Sequence, residues 1–305
     1  MKWGDILLNK DVLKILIIVN YYAGKKIARA DILKLEHLLK DRGYFVETYY
    51  TKCKRDAVDV VEKKAVVFDI VVCCGGDGTF HEVLNGVLNL EKCVPISFIP
   101  FGTTNDLAKS LNMPLTLEEA VKNISIKNAE YQDVGLFNER EYFSYIASFG
   151  AFCEVSYGTP QFLKNFFGKV AYIFEGCKCV KKIKSYDVNI ICDNENISGD
   201  FIFGAVTNSY SVAGLIKLKN DGIKFNDGKL EVLLLRKPKN FIELIQLIFD
   251  LRKNKFDDKF LILRHAKNIR IRLEKEAPFT LDGEYAGNFS DIYIKCLCKK
   301  FKIIK

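Results

Sequence analysis

The 305-residue chain lacks an apolar run long enough to cross a membrane. A spanning helix needs about 20 consecutive apolar residues, and no stretch of this sequence approaches that length. The start of the chain also lacks the apolar core of a signal peptide, because Lys2, Asp5, Lys10 and Asp11 interrupt it. Internal repeats and low-complexity segments are missing as well. These absences exclude the membrane-spanning and secreted classes, and we expect a soluble, cytoplasmic protein.

The ten cysteines lack the Cys-x2-Cys spacing of structural zinc sites. The close pairs Cys177/Cys179 and Cys296/Cys298 have one residue between them, and in a strand this spacing places both thiols on the same face. Disulfide frameworks are typical of short secreted chains, and this chain is neither short nor visibly exported. We therefore expect neither a disulfide framework nor a zinc cluster.

Basic residues outnumber acidic ones, since 46 lysines and arginines against 38 aspartates and glutamates give a formal net charge of +8. Such an excess can steer a protein towards nucleic acid or towards an anionic membrane surface, although a solvated lysine-rich surface explains it more simply. The sequence contains no recognisable nucleic-acid-binding module. Of the two anionic partners, we expect the membrane surface and no nucleic acid.

The pattern of apolar residues divides the chain into two parts. Its length and its hydrophobic content of 49% favour two domains. Up to about residue 128, apolar runs of strand length alternate with helical patterns, which predicts a doubly wound parallel α/β domain. Beyond it, period-two patterns predict an antiparallel β-sandwich, interrupted by helical stretches at 162–183 and 241–254. We predict domains at 1–128 and 129–305, and the last strands could rejoin the first domain.

A glycine-rich turn, Gly75-Gly76-Asp77-Gly78-Thr79, is the most informative local feature. It follows a valine-rich apolar run at 68–74, which is typical of a buried parallel strand. It precedes a helical pattern at 79–90, for which Thr79 is the predicted N-cap. Backbone N–H groups at the start of such a helix face a bound anion, and the helix dipole adds to the attraction. The turn predicts a phosphate site, in which Asp77 can hold a metal or accept a proton.

Two more loops, at 20–26 and 101–106, are predicted at the same edge of the parallel sheet. Because the carboxyl ends of parallel strands meet at one edge, these loops and the glycine turn can converge on one ligand. Asn20 offers an amide, Gly24 an accessible backbone and Thr103 a hydroxyl. Each loop alone is ordinary, but the three together predict a nucleotide site. It is not of the Walker type, because no Gly-x4-Gly-Lys-Ser/Thr run occurs.

An acidic segment, Thr280-Leu281-Asp282-Gly283-Glu284-Tyr285, lies far along the chain in the predicted second domain. Asp-Gly is a frequent two-residue hairpin turn, and the segment can be no more than that. Its carboxylates can also serve phosphoryl transfer, which needs Mg²⁺ on the phosphates and a carboxylate near the acceptor oxygen. A cleft with the glycine turn on one wall and Asp282 and Glu284 on the other would meet this need.

These segments resemble motifs of the diacylglycerol kinase catalytic-domain family, in its soluble bacterial branch. The glycine turn with Glu82, Asn85 and Gly86 follows the family's Gly-Gly-Asp-Gly-Thr-x-x-Glu-x-x-Asn-Gly, and residues 100–106 fit its second motif. The resemblance covers nearly the whole chain and includes the triplet Asp282-Gly283-Glu284. Sphingosine and ceramide kinases share the family's fold, and NAD kinases and phosphofructokinases carry the glycine motif alone. The resemblance implies an NAD kinase/phosphofructokinase-like first domain and a lipid-substrate second domain.

The resemblance implies an ATP- and Mg²⁺-dependent lipid kinase that phosphorylates the hydroxyl of diacylglycerol or a related lipid in phospholipid metabolism. Asp282 and Glu284 would be its catalytic carboxylates, one of which accepts the proton of the lipid hydroxyl. Because the two lie close together, the proton is not assigned to either one. The residues that would hold ATP are Asn20, Gly24, Thr51, Gly75, Gly76, Asp77, Gly78, Thr79, Phe80, His81 and Thr103.

The resemblance also implies a structural magnesium site and a lipid partner. Asp227 and the backbone carbonyls of Lys224 and Lys229 would hold the metal, and Asp133 would belong to a water network that links it to the cleft. The lipid would be met at the inner membrane surface, so we expect peripheral association, and exposed sandwich edges would allow a homodimer. The residues expected to touch the membrane are Phe162, Phe166, Phe167 and Lys169.

Two segments depart from the family pattern. The first loop, Asn20-Tyr21-Tyr22-Ala23-Gly24, lacks the family's proline, and a less rigid loop would weaken nucleotide binding. Phe143-Ser144-Tyr145 has a phenol where the family has an amide. Three hypotheses stay open: a diacylglycerol-type lipid kinase, a kinase for another acceptor (a sphingoid lipid, ceramide or NAD), and a non-catalytic nucleotide- or lipid-binding module. The retained Asp77, Asp282 and Glu284 argue against the last.

Overall fold

The computed structural model describes residues 12–21, 27–102, 106–111, 113–114, 116–150, 184–209, 211–212, 216–217 and 226–305. The described strands are β1 (Lys14–Val19), β2 (Phe45–Tyr50), β3 (Ile70–Gly75), β4 (Ile96–Pro100), β5 (Ala129–Phe137), β6 (Glu141–Phe143), β7 (Ile146–Gly150), β8 (Tyr186–Cys192), β9 (Glu195–Thr207), β10 (Ser211–Val212), β11 (Ile216–Lys217), β12 (Leu230–Arg236), β13 (Leu261–Ala266), β14 (Asn268–Leu281) and β15 (Glu284–Ile304). The described helices are α1 (Arg29–Asp41), α2 (Asp56–Lys64), α3 (Asp77–Leu88), α4 (Asp106–Ser110), α5 (Leu117–Asn123) and α6 (Phe241–Lys253). The predicted helix at 162–183, with its proposed membrane contacts, lies outside these residues.

The first part of the chain forms a parallel sheet in the order β2-β1-β3-β4. Apart from Lys14, β1 and β3 are buried throughout, as the apolar runs of parallel strands require. Leu16 and Val71 pack towards α2 and α3, whereas Ile17 and Val72 pack towards α1 and α5. Because successive residues of a strand point to opposite faces, helices cover this sheet on both sides.

Two helix starts show where the capping pattern predicts correctly and where it does not. The sequence predicts a helix over 117–124 with Thr116 as its cap. Thr116 does cap α5, because its side chain accepts a hydrogen bond from the backbone N–H three residues later. For α3 the prediction is wrong by two residues, since the helix begins at Asp77 with Gly76 as its N-cap. Gly76 has an extended backbone and lies between the last residue of β3, Gly75, and the first residue of α3, Asp77. The hydroxyl of Thr79, within the first turn, instead accepts a hydrogen bond from Asn20.

From β5 onwards the described strands pair mainly antiparallel. The order β13-β12-β9-β7-β14-β15 extends the same sheet, and β5, β6 and β8 pair beside it. The long strand β15 pairs with β5, and its end pairs parallel with β4, where Ile303 lies opposite Ile96. The fold is therefore α/β in its N-terminal region and strand-rich in its C-terminal region. Because one sheet continues past residue 128, the domain boundary predicted there stays a prediction.

The segment between β6 and β7 breaks a strand that the sequence predicts as continuous over 142–148. The N–H groups of Ser144, Tyr145 and Ile146 donate to the side chain of Asp282 instead of to a neighbouring strand. A backbone that wraps around a carboxylate cannot keep regular ladder pairing at the same residues. The interruption therefore has a cause 138 residues away in the chain, which alternation of apolar residues does not reveal.

An aromatic core lies within the strand-rich region. Phe149 of β7 and Phe279 of β14 contact each other with ring centroids 5.2 Å apart, and Phe137 of β5 packs against Phe279 at 5.9 Å.

The described cysteines are free thiols. Among the residues that the structure describes, no helix combines the length and the apolar character needed to span a membrane.

We predict that Gly204→Ala lowers the free energy of unfolding by about 1–3 kcal/mol, the usual cost of overpacking a core. A Cβ atom on Gly204 of β9 would lie 2.2 Å from the ring of Phe149, which is fully buried and cannot move aside. Urea unfolding followed by circular dichroism measures the change. Asp200→Ala, at an exposed position of the same strand, is the control and should change stability by no more than about 0.5 kcal/mol. Equal stability of the two variants would contradict the packing argument.

Candidate active site

The glycine turn connects β3 directly to α3. Gly75 ends the strand, and a Cβ atom there would lie 2.6 Å from the side chain of Thr79, so only glycine fits. Gly76 is the extended N-cap, and Asp77 begins the helix. The first N–H groups of a helix have no carbonyl partner in a preceding turn. This strand-to-helix connection therefore presents backbone donors and the positive end of the helix dipole, which is an arrangement that binds phosphate.

Asn20 and Thr51 stand beside this turn, at the carboxyl ends of β1 and β2. Asn20 Nδ2 donates to Thr79 Oγ1 at 3.0 Å, and the Asn20 backbone N–H donates to the carbonyl of Cys74. The backbone N–H of Thr51 donates to the carbonyl of Val19 at 2.9 Å. The sheet edge thus brings both residues towards the glycine turn. The other two residues of the predicted nucleotide set, at positions 24 and 103, lie outside the described residues.

Tyr21 occupies the position where the family pattern has proline. Its ring stacks on Tyr50 at the end of β2, with centroids 4.8 Å apart and planes at 7°. Offset stacking of this kind contributes about 0.5–1.5 kcal/mol beyond area burial. The stack anchors the start of the loop by side-chain packing, where proline would restrict the backbone.

The acidic turn from the C-terminal half lies against the first turn of α3. A Cβ atom on Gly78 would lie 2.7 Å from Glu284 Oε1, so the absence of a side chain at Gly78 makes room for this carboxylate. The other oxygen of Glu284 accepts from Lys54 Nζ at 3.2 Å. The Glu284 side chain is 49% exposed and can therefore be reached from solvent. The glycine turn and the acidic turn therefore face each other.

Asp282 has a different environment, although it is two residues from Glu284. It is only 2% exposed and occupies a two-residue hairpin turn with Gly283, both with left-handed φ, as an Asp-Gly turn allows. Oδ1 accepts the N–H groups of Tyr145 and Ile146 at 2.9 and 3.1 Å. Oδ2 accepts hydrogen bonds from the N–H and the hydroxyl of Ser144 and from Nδ1 of His81. With both oxygens occupied by donors, Asp282 is placed to hold the turn, whereas Glu284 keeps solvent access.

The side chains of Phe80 and His81 are both buried. The ring of Phe80 is fully buried and packs against Phe98 with centroids 5.1 Å apart, so a nucleotide can meet only its backbone. His81 Nδ1 lies 3.0 Å from Asp282 Oδ2, and Nε2 lies 3.0 Å from Glu141 Oε1. Both ring nitrogens are therefore engaged within the protein. The resemblance assigns these two residues to ATP binding, which stays a prediction, and their side chains lie in the core and in the carboxylate cluster.

The charges around His81 change its proton affinity. Burial by itself lowers the pKa of His81, but the hydrogen bonds to Asp282 and Glu141 outweigh burial and raise its pKa to about 9. The same hydrogen bond from His81 lowers the pKa of Glu141 below its usual value, against the opposing effect of burial. The two shifts describe one charge-assisted pair that stays ionised over the neutral pH range.

Two further motif residues have contacts that the sequence analysis did not assign. Asn85 binds β6 through both amide atoms: Nδ2 donates to the carbonyl of Tyr142, and Oδ1 accepts its N–H, each at 2.9 Å. Glu82 accepts the N–H of Arg55 at 2.9 Å, at the start of α2. The motif residues that follow the glycine turn therefore fix α3 to its neighbours. The position of Glu82 and Asn85 within the motif was the signal in the sequence that could have pointed to these contacts.

A second acidic cluster lies near the predicted magnesium site. Asp133 is fully buried and accepts the N–H groups of Gly228 and Lys299 at 2.6 and 2.7 Å. Asp227 accepts the N–H of Lys229. Glu231 of β12 is fully buried, and within the described part of the chain its carboxylate oxygens have no hydrogen-bond partner. Burial, followed by the charges of Asp227 and Asp133, raises the pKa of Glu231 to about 8.

The carboxyl groups of this cluster are of the kind that can bind a cation. Among the described residues, no three His, Cys, Asp or Glu side chains are arranged as metal ligands. A site made largely of backbone carbonyls and water is compatible with that finding, and Lys224, one of the predicted carbonyl donors, lies outside the described residues. A nearby cation would relieve the buried, unpartnered carboxyl group of Glu231. The sequence analysis missed Glu231, although a single acid in the apolar strand LEVLLLR was an available indication.

Comparisons with known proteins show the family to which this chain belongs. The family model "Diacylglycerol kinase catalytic domain" matches residues 14–137. A diacylglycerol kinase of Bacillus subtilis (strain 168) is 31% identical over 274 residues, which cover 89% of each chain. A diacylglycerol kinase of Staphylococcus haemolyticus is 31% identical over 89% of this chain and 82% of its own length.

Solved structures show the same fold. A diacylglycerol kinase structure from Bacillus anthracis str. Sterne superposes with a TM-score of 0.74 at 23% identity, over 96% of this chain and 97% of that chain. A second structure from that strain reaches a TM-score of 0.77 at 26% identity, with the same coverage. The family match and the relatives define the class of this protein as a phosphotransferase. The chain belongs to the diacylglycerol kinase family and is by class a lipid kinase, and membership of a kinase family implies the use of ATP.

We predict that Asp282→Asn lowers the free energy of unfolding by about 3 kcal/mol, the usual cost of breaking a buried ion pair. The amide nitrogen would face N–H donors, and His81 would lose a charged partner. Glu284→Gln is the matched control two residues away. Its partner Lys54 is exposed, so we expect a change within about 1 kcal/mol. Urea unfolding of both variants measures the difference, and superimposable curves would refute the structural assignment of Asp282.

Proposed function

We propose that this protein is an ATP- and Mg²⁺-dependent lipid kinase that transfers the γ-phosphoryl group to the hydroxyl of diacylglycerol or a related lipid, in phospholipid metabolism. The observation that supports the proposal most directly is the contact between Glu284 and the first turn of α3 at Gly78. Phosphoryl transfer requires a proton acceptor next to the bound phosphates. The chain brings such a group to its phosphate-binding turn from the far end of the sequence.

In the proposed reaction, the glycine turn binds the phosphates of ATP, while Asn20 and Thr51 line the same sheet edge. Glu284 accepts the proton of the lipid hydroxyl, the alkoxide oxygen bonds to the γ-phosphorus, and the bond to the ADP oxygen breaks. Magnesium bound to the nucleotide would neutralise phosphate charge. Asp282 orients the turn that carries Glu284. Gly24 and Thr103 belong to the proposed nucleotide set as well.

The remaining parts of the proposal concern the second half of the chain. We propose that residues 129–305 form a β-sandwich domain for the lipid and residues 1–128 the nucleotide domain. Asp227, with the carbonyls of Lys224 and Lys229, would hold a structural Mg²⁺, linked to the cleft through Asp133. A cavity of about 740 Å³ is lined by apolar residues such as Phe137 and Phe289 and by charged ones such as Glu141 and Arg270, and it is a candidate for the acceptor. A homodimer also stays a proposal.

The test is phosphorylation of lipids by the purified protein with radiolabelled ATP and Mg²⁺. Diacylglycerol, a sphingoid base, ceramide and NAD are offered in parallel, so that the assay separates the acceptor classes. We predict that Glu284→Gln lowers kcat at least about 100-fold, which is in the range for a general base, while the unfolding curve stays that of the wild type. Glu274→Gln, at an exposed position of β14, should retain full activity. Wild-type activity in Glu284→Gln would remove the proposed chemistry.

We further propose that α6 contributes to contact with an anionic membrane surface. Ile242 and Phe249 are 77% and 55% exposed, and a spacing of seven residues places them on one face of the helix. Arg252 and Lys253 are exposed at the end of the same helix. Apolar side chains beside basic ones match the chemistry of an anionic interface.

We predict that the double variant Ile242→Gln/Phe249→Gln binds vesicles containing phosphatidylglycerol about tenfold more weakly, since each exposed apolar side chain contributes on the order of 1 kcal/mol when buried. Sedimentation with sucrose-loaded vesicles measures the binding. Val66→Gln/Val67→Gln is the matched control, because it removes a second exposed apolar pair remote in sequence. Equal losses in the two double variants would show that α6 is not a specific contact.

A further inference from the structure

One face of α3 contacts the acidic turn or strand β6 at three successive positions. Gly78, His81 and Asn85 have the spacing i, i+3, i+7, which places them on one side of the helix. Gly78 makes room for Glu284, His81 contacts the carboxylates of Asp282 and Glu141, and Asn85 pairs with the backbone of Tyr142. The helix that begins at the phosphate-binding turn therefore also holds the acidic turn. His81 is the charged member of this contact.

The geometry around His81 specifies its charge state. Both ring nitrogens lie 3.0 Å from carboxylate oxygens, which accept hydrogen bonds when ionised. A neutral imidazole has one N–H and can donate to only one of them, whereas the imidazolium donates to both. The His81 side chain is 7% exposed, so water offers little replacement for a lost donor. Doubly protonated His81 is the form that satisfies Asp282 and Glu141 together.

We propose that His81, as an imidazolium, is a positioning residue that holds the Asp282-Gly283 turn so that Glu284 stays against Gly78. This inference rests on the proposed function. The adjacent carboxylate Asp282 is tied to α3 only through His81 among the contacts described above, since its other donors come from the segment between β6 and β7. Loss of the His81 proton leaves one carboxylate without its donor and frees the turn to move relative to α3.

The charged groups that face this pair decide how it responds to pH. Asp282 faces His81 from the β14–β15 turn, Glu141 faces it from β6, and Arg55 at the start of α2 acts on Glu141. The pKa of His81 is raised to about 9 from an unfolded value near 6.5. A raised pKa in the folded state means that the stabilisation is complete below pH 6.5 and is lost as the pH rises through about 9.

We predict three changes in kcat when activity is measured from pH 6.5 to 10. In the wild type, kcat falls as the pH rises through about 9. His81→Gln, which cannot carry a charge, lowers kcat about 10- to 100-fold, in the range for a misplaced reacting group, with little change in KM for ATP and no fall near pH 9. Glu141→Gln removes one negative partner from a half-exposed position and moves the alkaline fall to lower pH.

Controls separate positioning from folding. Thermal melting of each variant at pH 7 reports the folded fraction, and His81→Asn, which keeps one donor, should have a kcat between those of the wild type and His81→Leu. If Glu141→Gln left the alkaline limb unchanged, or if His81→Gln raised KM for ATP as strongly as it lowered kcat, the positioning role would be overturned. The second result would return His81 to the nucleotide site.

A direct measurement of the His81 proton does not depend on catalysis. The chain has three histidines, and NMR of protein with ¹³C-labelled imidazoles, assigned with His81→Gln, gives the pKa of each. We expect His81 to titrate near pH 9, and a value near the ordinary 6.5 would refute the imidazolium. If no lipid is phosphorylated but His81 titrates near pH 9, the proposed function fails while the link between α3 and the acidic turn stands.

Discussion

The buried carboxylate of Asp282 is the interaction on which the site depends. A buried charge is stable only when it is fully hydrogen-bonded, and Asp282 meets this condition with donors from two separate parts of the chain. The segment between β6 and β7 supplies backbone N–H groups and a hydroxyl, and His81 of α3 supplies a ring N–H. These donors fix the hairpin turn, and the turn carries Glu284 to Gly78. The two acids therefore differ in role: buried Asp282 fixes the turn, whereas half-exposed Glu284 stays accessible to solvent.

The glycine motif serves packing in addition to the phosphate binding proposed for it. Gly75 lies against the Thr79 side chain, Gly78 against Glu284, and Gly86 against Val61 of α2, each closer than a Cβ atom allows. Only part of this motif therefore concerns the nucleotide directly. The rest lets α3 approach α2 and the acidic turn, so that a single helix positions the phosphate-binding groups and the proposed base together.

A second carboxylate, Asp133, connects strands in a similar way but away from the acidic turn. It accepts backbone N–H groups from the start of β12 and from β15, while Asn208 donates to its carbonyl. Glu231 lies buried nearby without a described partner. Burial raises the pKa of Glu231 to about 8, so the ionised form of this carboxyl group is disfavoured at neutral pH.

Local patterns in the sequence were enough to predict the parallel strands β1 and β3, the cap of α5 at Thr116 and the strand-to-helix turn at Gly75 to Thr79. Each depends on residues within about one turn or one strand of each other, so a short window contains the whole cause. The start of α3 was placed two residues late, because two glycines leave the choice of cap to the surrounding contacts. The motif also identified Asp282 and Glu284 as a pair.

The sequence by itself determined that a glycine turn between a strand and a helix and an acidic turn exist, since both follow from glycine and aspartate preferences that act over a few residues. Only the tertiary structure decided that the turns meet, that Asp282 is buried while Glu284 is half-exposed, and that His81 contacts two carboxylates. The partners in these contacts are more than 100 residues apart for Asp282, both with Ser144 and with His81. Burial and charge pairing arise only when such distant segments pack together, and no local pattern encodes them.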